Sequence, residues 1–207
     1  MNRITFALAF LLIGTFALAQ EQNNYILIID NDSIPMDLNS DFQYKTPKGE
    51  QLNIRIAQPD ILTYSDDMIS FSHPNSLSVS NSAVDEGIDQ CMIVKSTGSG
   101  YMIQKFRTLD PSSLTRLMLN EIIKESINYG YTKTEKDFSR TLKSGQTIEG
   151  VEATLTYKGE EEIYTVASYG GKDEGIIVIT MLLSDEYTND QDMIDLFLDT
   201  LEIKESR

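Results

Sequence analysis

Residues 150–203 constrain the fold more than any other part of the chain. Three strand-like runs, 151–157, 163–169 and 175–183, are separated by Lys158-Gly159-Glu160 and by segment 170–175, both rich in glycine and charge. Such segments reverse a chain between neighbouring antiparallel strands. An amphipathic stretch follows, in which Met193, Ile194, Phe197, Leu198 and Leu201 recur at the spacing that an α-helix gathers onto one face. Thr188 with Gln191 three residues on forms a capping box, and Asp190 and Asp192 stand near the positive end of the helix dipole. The stretch predicts a β-meander closed by a helix that buries its apolar stripe against the sheet.

Upstream, residues 25–29 and 34–38 are apolar runs joined by Asp30-Asn31-Asp32-Ser33, which is turn chemistry and predicts a small hairpin. Leu52, Ile54 and Ile56 then alternate with Asn53, Arg55 and Ala57, giving a strand with one buried face, until Pro59 interrupts it. A boundary is placed there, with a β appendage over residues 20–59 and the main domain over 60–207. That domain opens with a strand over 68–72, a His73-Pro74 turn and a short alternating strand over 76–79. Strands over 88–95 and 101–108 follow, joined by the flexible segment Ser96-Thr97-Gly98-Ser99-Gly100. Asp110-Pro111 then starts a helix, with aspartate as cap and proline at the first helical position, and Gly130 ends it. Leu114, Met118, Ile122 and Tyr129, broadened by Leu119 and Ile123, supply its apolar face. Residues 131–139 are expected to be extended.

Arg3, the apolar run 4–16 and Ala17-Leu18-Ala19 have the three-part pattern of a cleaved secretory signal over residues 1–19. The run is short of the roughly 20 apolar residues that span a bilayer. No cysteine follows the cleavage point, so acylation there is not expected. The mature chain is expected to start at Gln20 as a secreted or periplasmic, non-membrane-spanning and monomeric protein. Losing Arg3 takes the formal net charge from −15 to −16, a surface that repels nucleic acid. The acidic residues are spread along the chain, which suits solubility.

Few catalytic chemistries fit these residues. His73 is the one histidine, stands before a proline and has no second feature that marks it as a catalytic base. Gly98-Ser99-Gly100 lacks the glycine that a nucleophile elbow needs two residues before its serine, where Thr97 stands instead. Cys91 is the one cysteine, so no intramolecular disulfide can form, and its apolar run predicts a buried thiol. One histidine and one cysteine cannot build a zinc site. Oxygen ligands for calcium are plentiful in two clusters, Asp30-Asn31-Asp32 and Asp185, Glu186, Asp190 and Asp192, but neither has EF-hand spacing. Each is read as turn or helix-start chemistry before it is read as a cation site. Thirty-two acidic residues leave a carboxylate-only hydrolase as an alternative.

The strand at 68–72, the segment Phe71-Ser72-His73-Pro74-Asn75-Ser76-Leu77-Ser78-Val79, the long helix, the meander and the terminal Leu196-Phe197-Leu198-Asp199-Thr200-Leu201-Glu202-Ile203 occur in an order that resembles the PsbP-like superfamily of PsbP and DcrB-like proteins. The resemblance covers about residues 64–204. It implies an α+β fold, a central antiparallel sheet covered by helices in an α/β/α sandwich. It also implies a non-enzymatic accessory or binding module with an unknown protein or small-ligand partner. No catalytic, cofactor-binding or metal-binding residue is carried over from it.

Overall fold

The computed structural model describes residues 25–171, 173–183 and 187–204, and the chain divides into two compact units between Gln58 and Pro59. The expected export segment, residues 1–19, lies outside the described residues. In the first unit, β1 (Tyr25–Ile29) pairs with β2 (Asp32–Met36), and β3 (Asp41–Lys45) with β4 (Gln51–Arg55), both antiparallel. β3 was not expected, because only Phe42 and Tyr44 mark its inner side and Pro47 follows closely. Leu52, expected on a buried face, is 44% exposed, since a lone hairpin has no second layer to cover it. Ile26 and Ile28 are also exposed. The Tyr44 hydroxyl donates to the Asp32 carboxylate at 3.0 Å.

The second unit continues with β5 (Ile61–Ser65), β6 (Ile69–Pro74), β7 (Ser80–Asp85), β8 (Ile88–Val94) and β9 (Gly100–Phe106). A single 3-10 turn, Ser112–Leu114, leads into α1 (Thr115–Tyr129). Then come β10 (Thr132–Thr141), β11 (Thr147–Tyr157), β12 (Glu160–Gly170), β13 (Gly175–Leu182), α2 (Tyr187–Thr200) and β14 (Glu202–Ile203). A seven-stranded antiparallel sheet runs in the order β10-β11-β12-β13-β9-β8-β7, and a three-stranded one in the order β14-β6-β5. Among the described residues the fold is α+β, mostly antiparallel sheet with two α-helices.

The expected meander and both expected helices are present, with three local differences. His73 and Pro74 are not a turn but the last residues of β6. Pro74 is tolerated because β14 pairs only with Ile69 and Ser70, so no ladder needs a donor on that side of Pro74. The turn comes later, where the Leu77 N–H donates to the Pro74 carbonyl at 3.1 Å, and the next strand starts at Ser80 rather than at 76. The central helix starts at Thr115 rather than at Pro111. Asp110 accepts from the Ser112 N–H at 2.9 Å and hydroxyl at 2.6 Å, so it braces the entry to the 3-10 turn and does not cap the α-helix. Gly130 ends the helix at φ 119, a left-handed conformation that suits glycine. Thr188, the expected cap of α2, lies outside the described side chains.

Directly opposed residues of an antiparallel pair point to the same side, so the register assigns each side chain to a face. Ile103, Ile148, Ala167, Ile176 and Val178 join a core with Phe71, Tyr101 and the Met193, Ile194, Phe197, Leu198 stripe of α2. Val151, Ala153, Leu155, Val166, Ile177 and Ile179 pack with Leu119 and Ile123 of α1 on the opposite face. Each helix therefore buries its stripe on its own side of one sheet.

Candidate functional site

α1 covers the middle of its face and leaves the sheet bare beyond its start. Asp137 opposes Val151 and Glu149 opposes Ser168, so all four side chains project to the α1 side. Together with Ser112, Thr115 and Arg116 they line a cavity of about 520 Å3. Gly150 and Gly170 form part of its wall. A Cβ on Gly150 would stand 2.0 Å from the Val166 carbonyl oxygen, and one on Gly170 would stand 1.9 Å from the Asp110 carboxylate. Neighbouring backbone at Gly150, and the Asp110 and Ser112 side chains at Gly170, leave room only for glycine.

The cavity is wet chemistry on a dry floor. Thr115 is buried, and its hydroxyl donates to the Ser112 carbonyl at 2.7 Å and lies 3.3 Å from the Ser168 hydroxyl. At the cavity wall Arg116 is held by Glu135, Nη1 to Oε2 at 3.1 Å, and the same carboxylate takes Lys133 Nζ at 2.6 Å. The Lys133 hydrogen bond, followed against the pull of burial by Arg116, holds the Glu135 carboxyl below its usual range. The Ser112 hydroxyl and N–H likewise hold Asp110 low. A carboxylate stabilised in that way is a weak base, so it leaves the Ser112 hydroxyl unactivated.

The residues singled out from the sequence lie elsewhere. His73 is buried, with Nδ1 2.9 Å from the Pro74 carbonyl oxygen and its ring edge-on to Phe71. Cys91 is buried, and burial pushes its thiol up to about 11, away from any nucleophilic role. Ser99 is buried and accepts the Leu183 N–H at 3.0 Å. Asp190 is fully buried. It is ion-paired with Lys95 and accepts from the Thr97 hydroxyl at 3.2 Å. Burial would raise its carboxyl, but hydrogen bonds from Lys95, Ser99 and Thr97 bring it below the ordinary range. Asp192 is exposed, and Asp185 and Glu186 lie outside the described residues. Asp30 and Asn31 form the exposed β1–β2 turn, and Asp32, also exposed, begins β2. Among the described residues, no group of three histidine, cysteine or acidic side chains is placed to hold a metal ion.

Sequence reading also missed a charged network on the α2 side of the sheet. Lys105 is buried with Nζ 2.6 Å from Asp66, whose other oxygen accepts the Met68 and Ile69 N–H groups, both at 2.9 Å. Arg107 joins Asp67 and Asp89 at 2.6 and 3.1 Å. The Lys105 and Arg107 alternation at the end of β9 was the available signal, two cations two residues apart where a largely apolar strand runs out. Their acids come from the β5–β6 turn, Asp66 and Asp67, and from β8, Asp89.

The architecture is that of an α+β protein with antiparallel sheets and two helices. No protein-family model matches the sequence, and no curated protein matches it. Among solved structures the chain is similar to cyanobacterial PsbP (CyanoP) from Synechocystis sp. PCC 6803, with 12% identity, 70% of this chain and 93% of that one covered, and a TM-score of 0.45. It is also similar to a protein of Bacteroides thetaiotaomicron VPI-5482, with 11% identity, 67% of this chain and 46% of that one covered, and a TM-score of 0.38. The first of these is a PsbP protein, the family the sequence resembles, and both similarities concern fold alone. Among the described residues, no helix is long and apolar enough to cross a membrane.

Proposed function

We propose that this chain is an exported, non-enzymatic accessory protein, a binding module that holds a polar ligand or a polar segment of a protein partner in the cavity at the start of α1. In this reading residues 1–19 are removed on export, the mature protein works as a monomer in the periplasm or outside the cell, and residues 60–207 form an α/β/α sandwich with the N-terminal hairpins as an appendage. The observation that carries it is the composition of the cavity. Hydroxyls, one guanidinium and two carboxylates face a space of about 520 Å3, and neither His73 nor Cys91 lines it. Donors and acceptors in that mixture recognise a polar surface, while nucleophilic catalysis needs a paired base that these hydroxyls lack.

Two measurements test the reading. The exported protein should have the mass of a chain beginning at Gln20. A panel of amino acids, monosaccharides and nucleosides, followed by amide chemical shifts, should contain a compound that moves Ser113, Arg116 and Glu149 and raises the melting temperature, because a ligand that binds only the folded state stabilises it. Turnover of an ester or glycoside that disappears in Glu149→Gln would replace this reading with the carboxylate hydrolase.

A further inference from the structure

At the other end of α1 the same face carries a second, chemically different surface. Tyr129 ends the helix, Tyr131 precedes β10 and Tyr157 ends β11. Their rings meet in a triangle, with centroids 5.1 Å apart for Tyr129 and Tyr157, 5.2 Å for Tyr131 and Tyr157, and 6.3 Å for Tyr129 and Tyr131. Three elements thus converge on one aromatic cluster, in which Tyr129 is 70% exposed while Tyr131 and Tyr157 are half-buried, Tyr131 against the α1-side core. Lys158 Nζ stands 4.8 Å from the Tyr157 ring centroid, so one ring already has a cation on it.

Beside the platform, α1 and β10 enclose a cavity of about 400 Å3, floored by Ile123 and Ile127 and rimmed by Asn120, Asn128, Lys124 and Lys133. Both asparagines are exposed, and among the described residues neither carboxamide has a hydrogen-bond partner. Each offers a donor and an acceptor side by side. The two ammonium groups are already answered, Lys124 by Glu121 at 3.3 Å and Lys133 by Glu135 at 2.6 Å. Carboxylates also stand near the rings. The Tyr131 hydroxyl is raised, first by burial and then by the charges of Glu162 and Glu160. Charges of both signs therefore surround the site, with no cluster of one sign to select an ionic ligand.

We infer that this surface is a docking site for a neutral glycan, with pyranose rings stacked on the Tyr129–Tyr131–Tyr157 platform and their hydroxyls bonded to the Asn120 and Asn128 carboxamides. Aromatic faces take the C–H side of a sugar ring, and carboxamides match hydroxyls, which both donate and accept. A proline-rich segment also stacks on tyrosines, but its carbonyls only accept and leave the carboxamide acceptors unanswered. The inference is independent of the cavity at the start of α1, whose lining shares no residue with this one.

The test is an amide chemical-shift titration of the full mature chain with hexamers of β-1,4-glucose, α-1,4-glucose and N-acetylglucosamine, alongside polygalacturonate and a proline-rich decapeptide. At least one neutral hexamer should move Asn120, Lys124, Asn128 and Tyr131, with an affinity that salt leaves unchanged. Tyr129→Ala should weaken it about tenfold or more, and Asn128→Ala severalfold, a tenfold change in affinity being a readily measured step. Both side chains are exposed, and unchanged melting temperatures would show both variants folded. The inference is overturned if no neutral hexamer binds at about 10 mM, a concentration that detects millimolar affinity. It is also overturned if polygalacturonate or the peptide alone moves these residues, or if hexamer binding survives both substitutions.

Discussion

The two faces of the seven-stranded sheet are built from the same strands and differ in how completely they are closed. On the α2 face, Phe71, Tyr101 and Phe197 are almost wholly buried and interlocked. Tyr101 stacks on Phe197 at 3.9 Å, and Phe71 meets both edge-on. The buried charges on that side, Lys105 and Asp190, each have a partner. On the α1 face, Leu119 and Ile123 are the helix's buried apolar anchors, and open cavities flank it at both ends. Close packing stabilises, and in the proposed reading the more open α1 face is the one that recognises.

The largest expected effect is on the closed face. Phe197→Ala should lower unfolding free energy by about 4 kcal/mol, the cost of a large cavity in a packed core, and urea denaturation would read it. Leu119→Ala on the open face should cost less, about 3 kcal/mol, and an equal or greater loss would break the contrast. Asp190→Asn should cost roughly 2 kcal/mol, because Lys95 keeps its charge but loses its counter-charge at the helix start. The wild type should show a matching acid dependence. The folded carboxyl lies below the ordinary 3.8, so the unfolded state binds protons first as pH falls. The contribution is therefore complete above about pH 4 and is lost as pH drops through the folded value; Asp190→Asn should flatten that part of the profile. Thr115→Val should cost about 1 kcal/mol by stranding the buried Ser168 hydroxyl. Tyr129→Ala, smallest of all, should stay within about 0.5 kcal/mol, as surface changes do. A loss above that would mean the tyrosine platform is part of the core.

The sequence made the meander and α2 visible because both signals are local, glycine-bearing turns between apolar runs and a stripe at helical spacing. β7 was misplaced for the opposite reason. Ser80-Asn81-Ser82-Ala83-Val84-Asp85 is an edge strand exposed along its whole length, so no buried alternation marks it. β5 went unseen because its alternation, with Leu62 and Tyr64 half-buried, is brief and directly follows Pro59-Asp60. The cavity at the start of α1 could not be read at all. Ser112, Asp137, Glu149 and Ser168 are ordinary polar residues until the register of three strands brings them to one place. The Lys105–Asp66 pair joins positions 39 residues apart, and no local pattern announces such a contact.

Cys91 lies within the α2-side core with its thiol held protonated. A chain with one thiol, and that one shut away, carries its fold through any redox environment without help from thiol oxidases. Oxidised glutathione added to the folded protein should leave Cys91 unmodified by mass, and no covalent dimer should accumulate while the core stays shut.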